Sequence, residues 1–179
     1  MKKALSFVLA LVMCLGAPAA AGAVTAGDFD IKDGILCGYY GWENDVAIPD
    51  GVTGIGEDAF RNRDSLTSVS IPSSVTNIRR RAFWNCTSLR EVNIPYGVTE
   101  IGFETFYNCP SLASVEIPST VTQIWPGAFS YCAGLTSVSI PAGVTIIERN
   151  SFSHCTNLAS VEIPATVTSI EADAFLDCP

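Results

Sequence analysis

The chain has 179 residues with 18 acidic and 10 basic side chains, which gives a formal net charge of −8 at neutral pH. An acidic chain of this kind disfavours nucleic acid and anionic lipid surfaces as partners, because phosphate groups are bound by basic faces. The excess of like charge also favours solubility.

The N-terminal segment carries the pattern of a secretory signal. Lys2 and Lys3 precede an apolar run from Ala4 to Leu15, and small residues with Ala-x-Ala spacing end at Ala21 or Ala23. The run is shorter than the roughly 20 apolar residues that a membrane-spanning helix needs. We therefore predict a signal peptide over residues 1–23, no membrane insertion after its cleavage, and a secreted or cell-surface protein.

A single sequence unit then recurs six times without insertion or deletion. The units begin at Ile48, Ile71, Ile94, Ile117, Ile140 and Ile163. Their shared pattern is I-P-x-x-V-T-x-I-x-x-x-[ATS]-F-x-x-C-x-x-L-x-x-V-x. A regular period of 23 residues predicts a repeat solenoid over residues 48–179, in which each unit completes its core only by stacking on its neighbours.

Each unit contains two extended segments and one turn. Val69-Ser70-Ile71 alternates apolar and polar residues and is stopped by Pro72, which predicts a short β-strand. The Val-Thr-x-Ile motif predicts a second extended segment. The stretch from Arg80 to Asn85 lacks alternation and predicts a short helical turn. One strand per unit builds a parallel sheet with rungs about 4.8 Å apart.

The run from Cys86 to Ile101 reads C-x-x-L-x-x-V-x-I-P-x-x-V-T-x-I and is followed by Thr105-Phe106. It resembles the 23-residue leucine-rich repeat of BspA-like surface proteins, and the resemblance covers residues 48–179. The family implies a right-handed leucine-rich-repeat-type stack of short parallel β-strands and short helical turns. Phe29 to Ala47 resembles the degenerate segment that precedes the repeats in that family, so residues 24–47 are expected to form an N-terminal cap.

For function, the resemblance implies an exported, non-catalytic binding protein that acts like an adhesin and needs no cofactor. Its expected partner is a protein or glycan on a host or neighbouring cell, recognised through one face of the solenoid. The alternative is a structural spacer or scaffold segment of a larger cell-surface protein.

The end of the sixth unit motivates that alternative. The unit stops at Cys178-Pro179, before its Leu and Val positions. Solenoids normally need a cap over their last rung. We therefore expect either a fragment of a longer protein, an end-to-end homodimer, or a final turn that packs over the open rung.

Six cysteines remain once the predicted signal peptide, which contains Cys14, is removed. Five of them occupy one column of the repeat. These five are Cys86, Cys109, Cys132, Cys155 and Cys178, and the first unit has Arg63 at the same position. A linear file does not offer the convergent tetrahedral ligands that zinc requires, so no metal site is predicted. Two interpretations stay open, a structural column of buried thiols and disulfides between adjacent rungs.

Large aromatic and arginine side chains lie in the columns that vary between repeats, and such residues dominate binding hot spots. The candidate binding residues are Arg79, Arg80, Arg81, Trp84, Phe103, Tyr107, Trp125 and Tyr131. These columns are free of core packing, so their rings are expected to be exposed and to come within reach of one another. The alternative is side-to-side packing within the turns, with the arginines simply solvated.

His154 is the one histidine, and it precedes Cys155. Adjacent side chains usually diverge, and Cys155 belongs to a core column, so a Cys-His nucleophile pair is disfavoured. Asp177 occupies the position of His154 in the next unit, one rung away in the same column. That spacing allows a solvated His154–Asp177 pair, and no catalytic residues are predicted.

Overall fold

A computed structural model of the chain describes residues 25–179. The predicted signal peptide, residues 1–23, lies outside the described residues. A 3-10 helix, Ala26–Asp28, leads into an antiparallel hairpin of β1 (Phe29–Lys32) and β2 (Ile35–Tyr39). The repeats follow as a parallel stack, so the predicted repeat solenoid is confirmed.

Two columns of parallel strands run along the stack. The valine column consists of β3 (Asp45–Ala47), β5 (Ser68–Ser70), β7 (Glu91–Val92), β10 (Ser137–Ser139) and β12 (Ser160–Glu162). The isoleucine column consists of β4 (Gly54–Ile55), β6 (Asn77–Ile78), β8 (Glu100–Ile101), β9 (Gln123–Ile124), β11 (Ile146–Ile147) and β13 (Ser169–Ile170). The register equals the sequence period, since Val69 pairs with Val92 and Ile78 pairs with Ile101. Equivalent residues of successive repeats therefore lie directly over one another.

The expected helical turn is wrong, because the stretch between the two strand columns is a pair of tight turns. Among residues 25–179 the helical content is the 3-10 helix alone. In the second repeat the left-handed residues are Arg81, with φ 56°, and Asn85, with φ 59°. Alternate amides bond within and between rungs: Ala82 N donates to Arg79 O at 3.2 Å, whereas Arg81 N donates to Phe103 O at 2.9 Å. A helix would direct all of these amides along its own axis and lose the bonds to the next rung.

The core is a bundle of single-residue columns, and its largest member is phenylalanine. Adjacent rings of Phe60, Phe83, Phe106, Phe129 and Phe152 lie 5.1–5.4 Å apart with planes within 11° of parallel. Such stacked pairs contribute about 0.5–1.5 kcal/mol each beyond the area that they bury. At the N-terminal end Tyr39 continues this phenylalanine column, with its ring 5.5 Å from that of Phe60. The ring of Phe29 lies 5.2 Å from that of Tyr39. The β1–β2 hairpin thus lies over the first rung and extends its core.

The opposite end of the stack exposes the core columns. Ile163 and Ile170 are 43% and 54% exposed, whereas their equivalents one rung earlier, Ile140 and Ile147, are 4% and 2% exposed. Leu176 is also exposed. The last rung therefore presents an apolar surface.

The phenylalanine column generates a stability prediction. Phe106→Ala should lower the free energy of unfolding by about 3–5 kcal/mol, because it removes a fully buried ring and leaves a cavity between Phe83 and Phe129. Phe103→Ala, three residues away and exposed, is the matched control and should cost less than about 1 kcal/mol. Urea unfolding followed by circular dichroism measures both variants. Equal losses for the two variants would show that the ring stack does not hold the rungs together.

Candidate binding surface

The turns place two neighbouring columns of side chains on one outer face, here called the turn face. The first column holds Arg61, Trp84, Tyr107, Ser130, Ser153 and Leu176. The second column holds Asn62, Asn85, Asn108, Tyr131, His154 and Asp177. Every second-column residue has φ between 56° and 61°. This left-handed conformation repeats on each rung because its amide must reach the next rung, as when Asn85 N donates to Tyr107 O at 2.8 Å.

A continuous line of stacked side chains runs along the turn face. This aromatic file consists of Arg61, Trp84, Tyr107, Tyr131, His154 and Asp177, one residue from each repeat. The ring of Trp84 lies 5.9 Å from that of Tyr107 with planes 4° apart, and Tyr107 lies 5.2 Å from Tyr131. Tyr131 then stacks on His154 at 4.2 Å. Ring contacts at these separations are attractive, so the file orders its own members.

Charged groups complete the aromatic file at both ends. The guanidinium of Arg61 lies 4.7 Å from the centre of the Trp84 ring, a cation–π contact. At the other end His154 Nδ1 lies 3.0 Å from Asp177 Oδ2, so the solvated pair that the spacing allowed is present. Partial burial raises the pKa of the Tyr107 phenol above its ordinary value.

The second column is an asparagine ladder in the first three repeats. Asn85 Nδ2 donates to Asn62 Oδ1 at 3.0 Å, and Asn108 Nδ2 donates to Asn85 Oδ1 at 2.6 Å. Asparagine adopts the left-handed conformation more readily than most residues, so this ladder suits the backbone. Tyr131 ends the ladder and places a ring where an amide would continue it.

The structure brings some of the predicted binding residues together and separates others. Trp84, Tyr107 and Tyr131 belong to the aromatic file. Arg80 lies over the exposed ring of Phe103, 5.6 Å from its centre. These five residues lie in or beside the turns, as the variable columns indicated.

The remaining three predicted residues lie apart from the aromatic file. Arg81 Nε forms a 2.6 Å ion pair with Glu104 Oε2 on the next rung, so this arginine holds the turns together. Trp125 Nε1 donates to Glu100 Oε2 at 3.0 Å, which directs the indole toward the end of β8. Arg79 is exposed and occupies the same repeat position as Trp125.

Sequence reasoning missed three members of the aromatic file as binding candidates, Arg61, His154 and Asp177. All three could have been found from the period, because Arg61 lies one period before Trp84, and His154 and Asp177 lie one and two periods after Tyr131. The two interpretations of the rings are also not exclusive. The rings pack side to side, and Tyr131 is still exposed while Trp84 and Tyr107 remain partly exposed.

The repeat pattern and the stacked geometry match a known family. The sequence model for the BspA type leucine-rich repeat region matches residues 44–179 in six copies. The chain belongs to the BspA-type leucine-rich repeat family. Among curated proteins, none matches this sequence.

Solved structures of bacterial leucine-rich repeat proteins are similar to this BspA-type chain. A leucine-rich cell surface protein from Faecalibacterium prausnitzii is 36% identical with a TM-score of 0.79, and the match covers 90% of this chain and 48% of that one. A leucine-rich repeat protein from Bacteroides ovatus is 30% identical with a TM-score of 0.69, over 81% of this chain and 45% of that one. The leucine-rich repeat protein of T. pallidum is 28% identical with a TM-score of 0.69, over 83% and 86% of the two chains. This chain thus spans about half the length of the first two proteins.

The described part of the BspA-type chain holds no group of three His, Cys, Asp or Glu side chains that could bind a metal ion. Within the same residues, no helix is long and apolar enough to cross a membrane.

The cysteine column consists of thiols that bridge adjacent rungs by hydrogen bonds. Cys86 Sγ donates to Phe60 O at 3.1 Å, and the same contact recurs at each later rung, for example from Cys132 to Phe106 O at 3.2 Å. Burial raises the pKa of Cys86 to about 12. In the structure the five cysteines of this column are free thiols.

The absence of cysteine from the first repeat has a structural reason. Arg63 takes the cysteine position there, and its guanidinium donates to the carbonyl oxygen of Tyr39, the aromatic residue of the rung before. The same guanidinium also lies 5.5 Å from the centre of the Tyr39 ring. Arg63 therefore makes the equivalent contact to the β1–β2 hairpin, which its longer side chain can reach.

The thiol column predicts a pattern of chemical reactivity. In native protein at pH 8, dithionitrobenzoate should modify exposed Cys37 rapidly and half-buried Cys178 slowly. Cys86, Cys109, Cys132 and Cys155 should not react, because burial raises each pKa and blocks access. Guanidinium chloride should release all four without reductant, and Cys37→Ser should remove the fast phase. Fewer free thiols in denaturant would reveal disulfides instead.

Proposed function

We propose that this protein is exported to the cell surface or secreted, and that it is a non-catalytic, adhesin-like binding protein. Its partner is a protein or glycan on a host or neighbouring cell. The observation that carries the proposal is the aromatic file, an ordered row of partly exposed rings flanked by arginine. The similar protein from Faecalibacterium prausnitzii is described as a cell surface protein, which supports the location.

Residue chemistry favours the turn face over the strand face as the binding surface. The outer side of the valine column carries small polar and acidic side chains such as Ser70, Glu91, Asn93 and Glu116. Binding hot spots are enriched in tryptophan, tyrosine and arginine, and serine is under-represented in them. The rings of the turn face are also held by their neighbours, so little side-chain entropy is lost when a partner binds.

The environment of His154 supports a non-catalytic role. Its imidazole is held between the Tyr131 ring and the Asp177 carboxylate. The thiol of Cys155 is buried and donates to Phe129 O at 3.2 Å, so it faces the core. A Cys-His nucleophile pair needs the two groups within hydrogen-bond distance of each other, and these two groups are committed elsewhere.

The binding surface is tested by replacing its rings. A variant carrying Trp84→Ala, Tyr107→Ala and Tyr131→Ala, the three predicted residues of the aromatic file, should bind at least about tenfold more weakly, because aromatic anchors contribute most of the affinity of an interface. Purified protein of residues 24–179 is first screened against extracellular-matrix proteins, cell-surface glycans and whole cells. Saturable binding is then measured by biolayer interferometry and flow cytometry, with thermal unfolding as the check on folding.

A matched triple variant on the strand face, Ser70→Ala, Asn93→Ala and Glu116→Ala, serves as the control and should bind normally. Unchanged affinity in the aromatic variant, together with loss in the control, would move the binding site to the strand face. Absence of binding to every target by well-folded protein would favour the spacer interpretation over the adhesin.

Self-association through the last rung is a separate proposal. The exposed side chains of Ile163, Ile170 and Leu176 form an apolar surface that a second copy of the chain can cover end to end. Light scattering on residues 24–179 should show dimers whose fraction rises with concentration. Ile163→Ser with Ile170→Ser should give monomers, while Ile146→Ser, one rung earlier and already exposed, should not change the dimer. A concentration-independent monomer contradicts this proposal.

A further inference from the structure

A cleft opens beside the aromatic file at the fourth and fifth repeats, where the two columns of the turn face exchange large and small side chains. In the first column Ser130 and Ser153 follow Trp84 and Tyr107. In the second column Tyr131 and His154 follow the asparagine ladder. The aromatic file therefore passes from the first column at Tyr107 to the second column at Tyr131. A recess lies in the first column, where Ser130 takes the place of a ring.

The exchange places the bulky side chain of Tyr131 on strained backbone. Tyr131 has φ 61°, a left-handed conformation that is unusual for a bulky residue, whereas asparagine and histidine, such as His154 with φ 58°, adopt it more readily. The first three repeats have asparagine at this position, so the solenoid itself does not require the rings. Strain of this kind is concentrated at ligand-binding and active sites, so the ring of Tyr131 on this backbone marks the fourth repeat as a candidate ligand site.

The recess has the size and lining of a small-ligand site. Its volume is about 480 Å³, and such sites usually measure about 300–1,000 Å³. The rings of Phe103, Tyr107 and Tyr131 line it. Ser130 and Ser153, each 2% exposed, lie at its base.

The recess also presents polar groups that the described residues leave available. Ser130 Oγ lies 2.7 Å from Ser153 Oγ, and Ser153 Oγ donates to Asn150 O at 3.3 Å, so Ser130 donates to Ser153 and keeps its lone pairs free. His154 also lines the recess; its Nδ1 lies 3.0 Å from Asp177 Oδ2, and among residues 25–179 its Nε2 has no hydrogen-bond partner. Within residues 25–179 the Arg149 guanidinium has no hydrogen-bond or ion-pair partner.

We propose that this recess binds a pyranose ring of a glycan. A sugar ring has a C–H face that can pack against the exposed ring of Phe103 and the exposed part of Tyr131, and a rim of hydroxyls that can hydrogen-bond with Ser130 and His154 and accept from Arg149. Small-ligand sites combine such aromatic walls with a few orienting polar groups. A nucleotide could stack as well, but its phosphates would meet a chain of net charge −8. The inference rests on the proposed function and selects a glycan as the ligand.

A double variant can fill the recess with side chains that the third repeat already carries at the same positions. Ser130→Tyr with Tyr131→Asn recreates in the fourth repeat the Tyr107-Asn108 pair of the third. The new tyrosine would be followed on the next rung by Ser153, just as Tyr107 is followed by Ser130. The new asparagine would extend the ladder from Asn108. Folding should therefore be retained while the recess is filled, and thermal unfolding checks this directly.

The probes are lactose, N-acetyllactosamine, cellobiose and 3′-sialyllactose, followed by saturation-transfer-difference NMR and by titration. At least one should bind the wild-type protein, with its ring C–H protons saturated. The double variant should bind it at least tenfold more weakly. Tyr96→Asn, which removes a 68% exposed ring near the strand face, is the matched control and should bind normally.

Each outcome separates this inference from the proposed function. Failure of all four sugars to bind at millimolar concentration, or equal binding by the double variant, overturns the sugar site. If matrix proteins or cells are still bound in that case, the adhesin proposal stands without it. Sugar binding that is lost in the double variant, with no binding to cells or matrix, supports the sugar site and overturns the adhesin proposal.

Discussion

The hydrogen bonds between rungs are the constraint on which the rest of the structure depends. They join successive repeats at the two strand columns and also at the turns, where Phe83 N donates to Thr105 O at 2.9 Å. A lone repeat would leave these groups without protein partners, and its few apolar side chains cannot offset the entropy of ordering the chain. Because the turn bond recurs at the phenylalanine of each of the first five repeats, and the strand pairs keep the same register, a residue faces its own equivalent on the next rung.

This alignment brings the side chains at equivalent positions of successive repeats into contact. Phenylalanine stacks on phenylalanine in the core, asparagine bonds to asparagine at the surface, and each cysteine reaches the carbonyl of the preceding rung. A substitution in one repeat is therefore felt by its neighbours in the same column. Arg63 illustrates the rule, since it replaces a cysteine only where the preceding rung is the hairpin and the carbonyl belongs to Tyr39.

The period was enough to predict the strands, the register and the buried columns, because each depends on spacing and on apolar alternation. The turn was mispredicted, since a segment such as Arg80 to Asn85 has no alternation, and local pattern cannot show that its amides bond to the next rung. The asparagines at Asn62, Asn85 and Asn108 were the available signal for left-handed turns. For the candidate site, variable columns identified Trp84, Tyr107 and Tyr131. They could not show that Trp125 donates to Glu100, because that depends on which way an exposed indole turns.

The aromatic file also explains how a surface can depart from the repeat without breaking it. Tyr131 lies one position beyond the equivalent of Tyr107 in the next repeat, yet the two rings remain 5.2 Å apart. A ring is long enough to cross from one column to the next, whereas the backbone below keeps its register through Asn108 N and Ser130 O at 2.9 Å. The two conformational requirements are thus separable: the core fixes the positions of the rungs, and Tyr131 in the second column of the turn face bears the strain of a bulky ring on left-handed backbone. A recess can therefore form at the fourth and fifth repeats while the backbone bonds between their rungs stay the same.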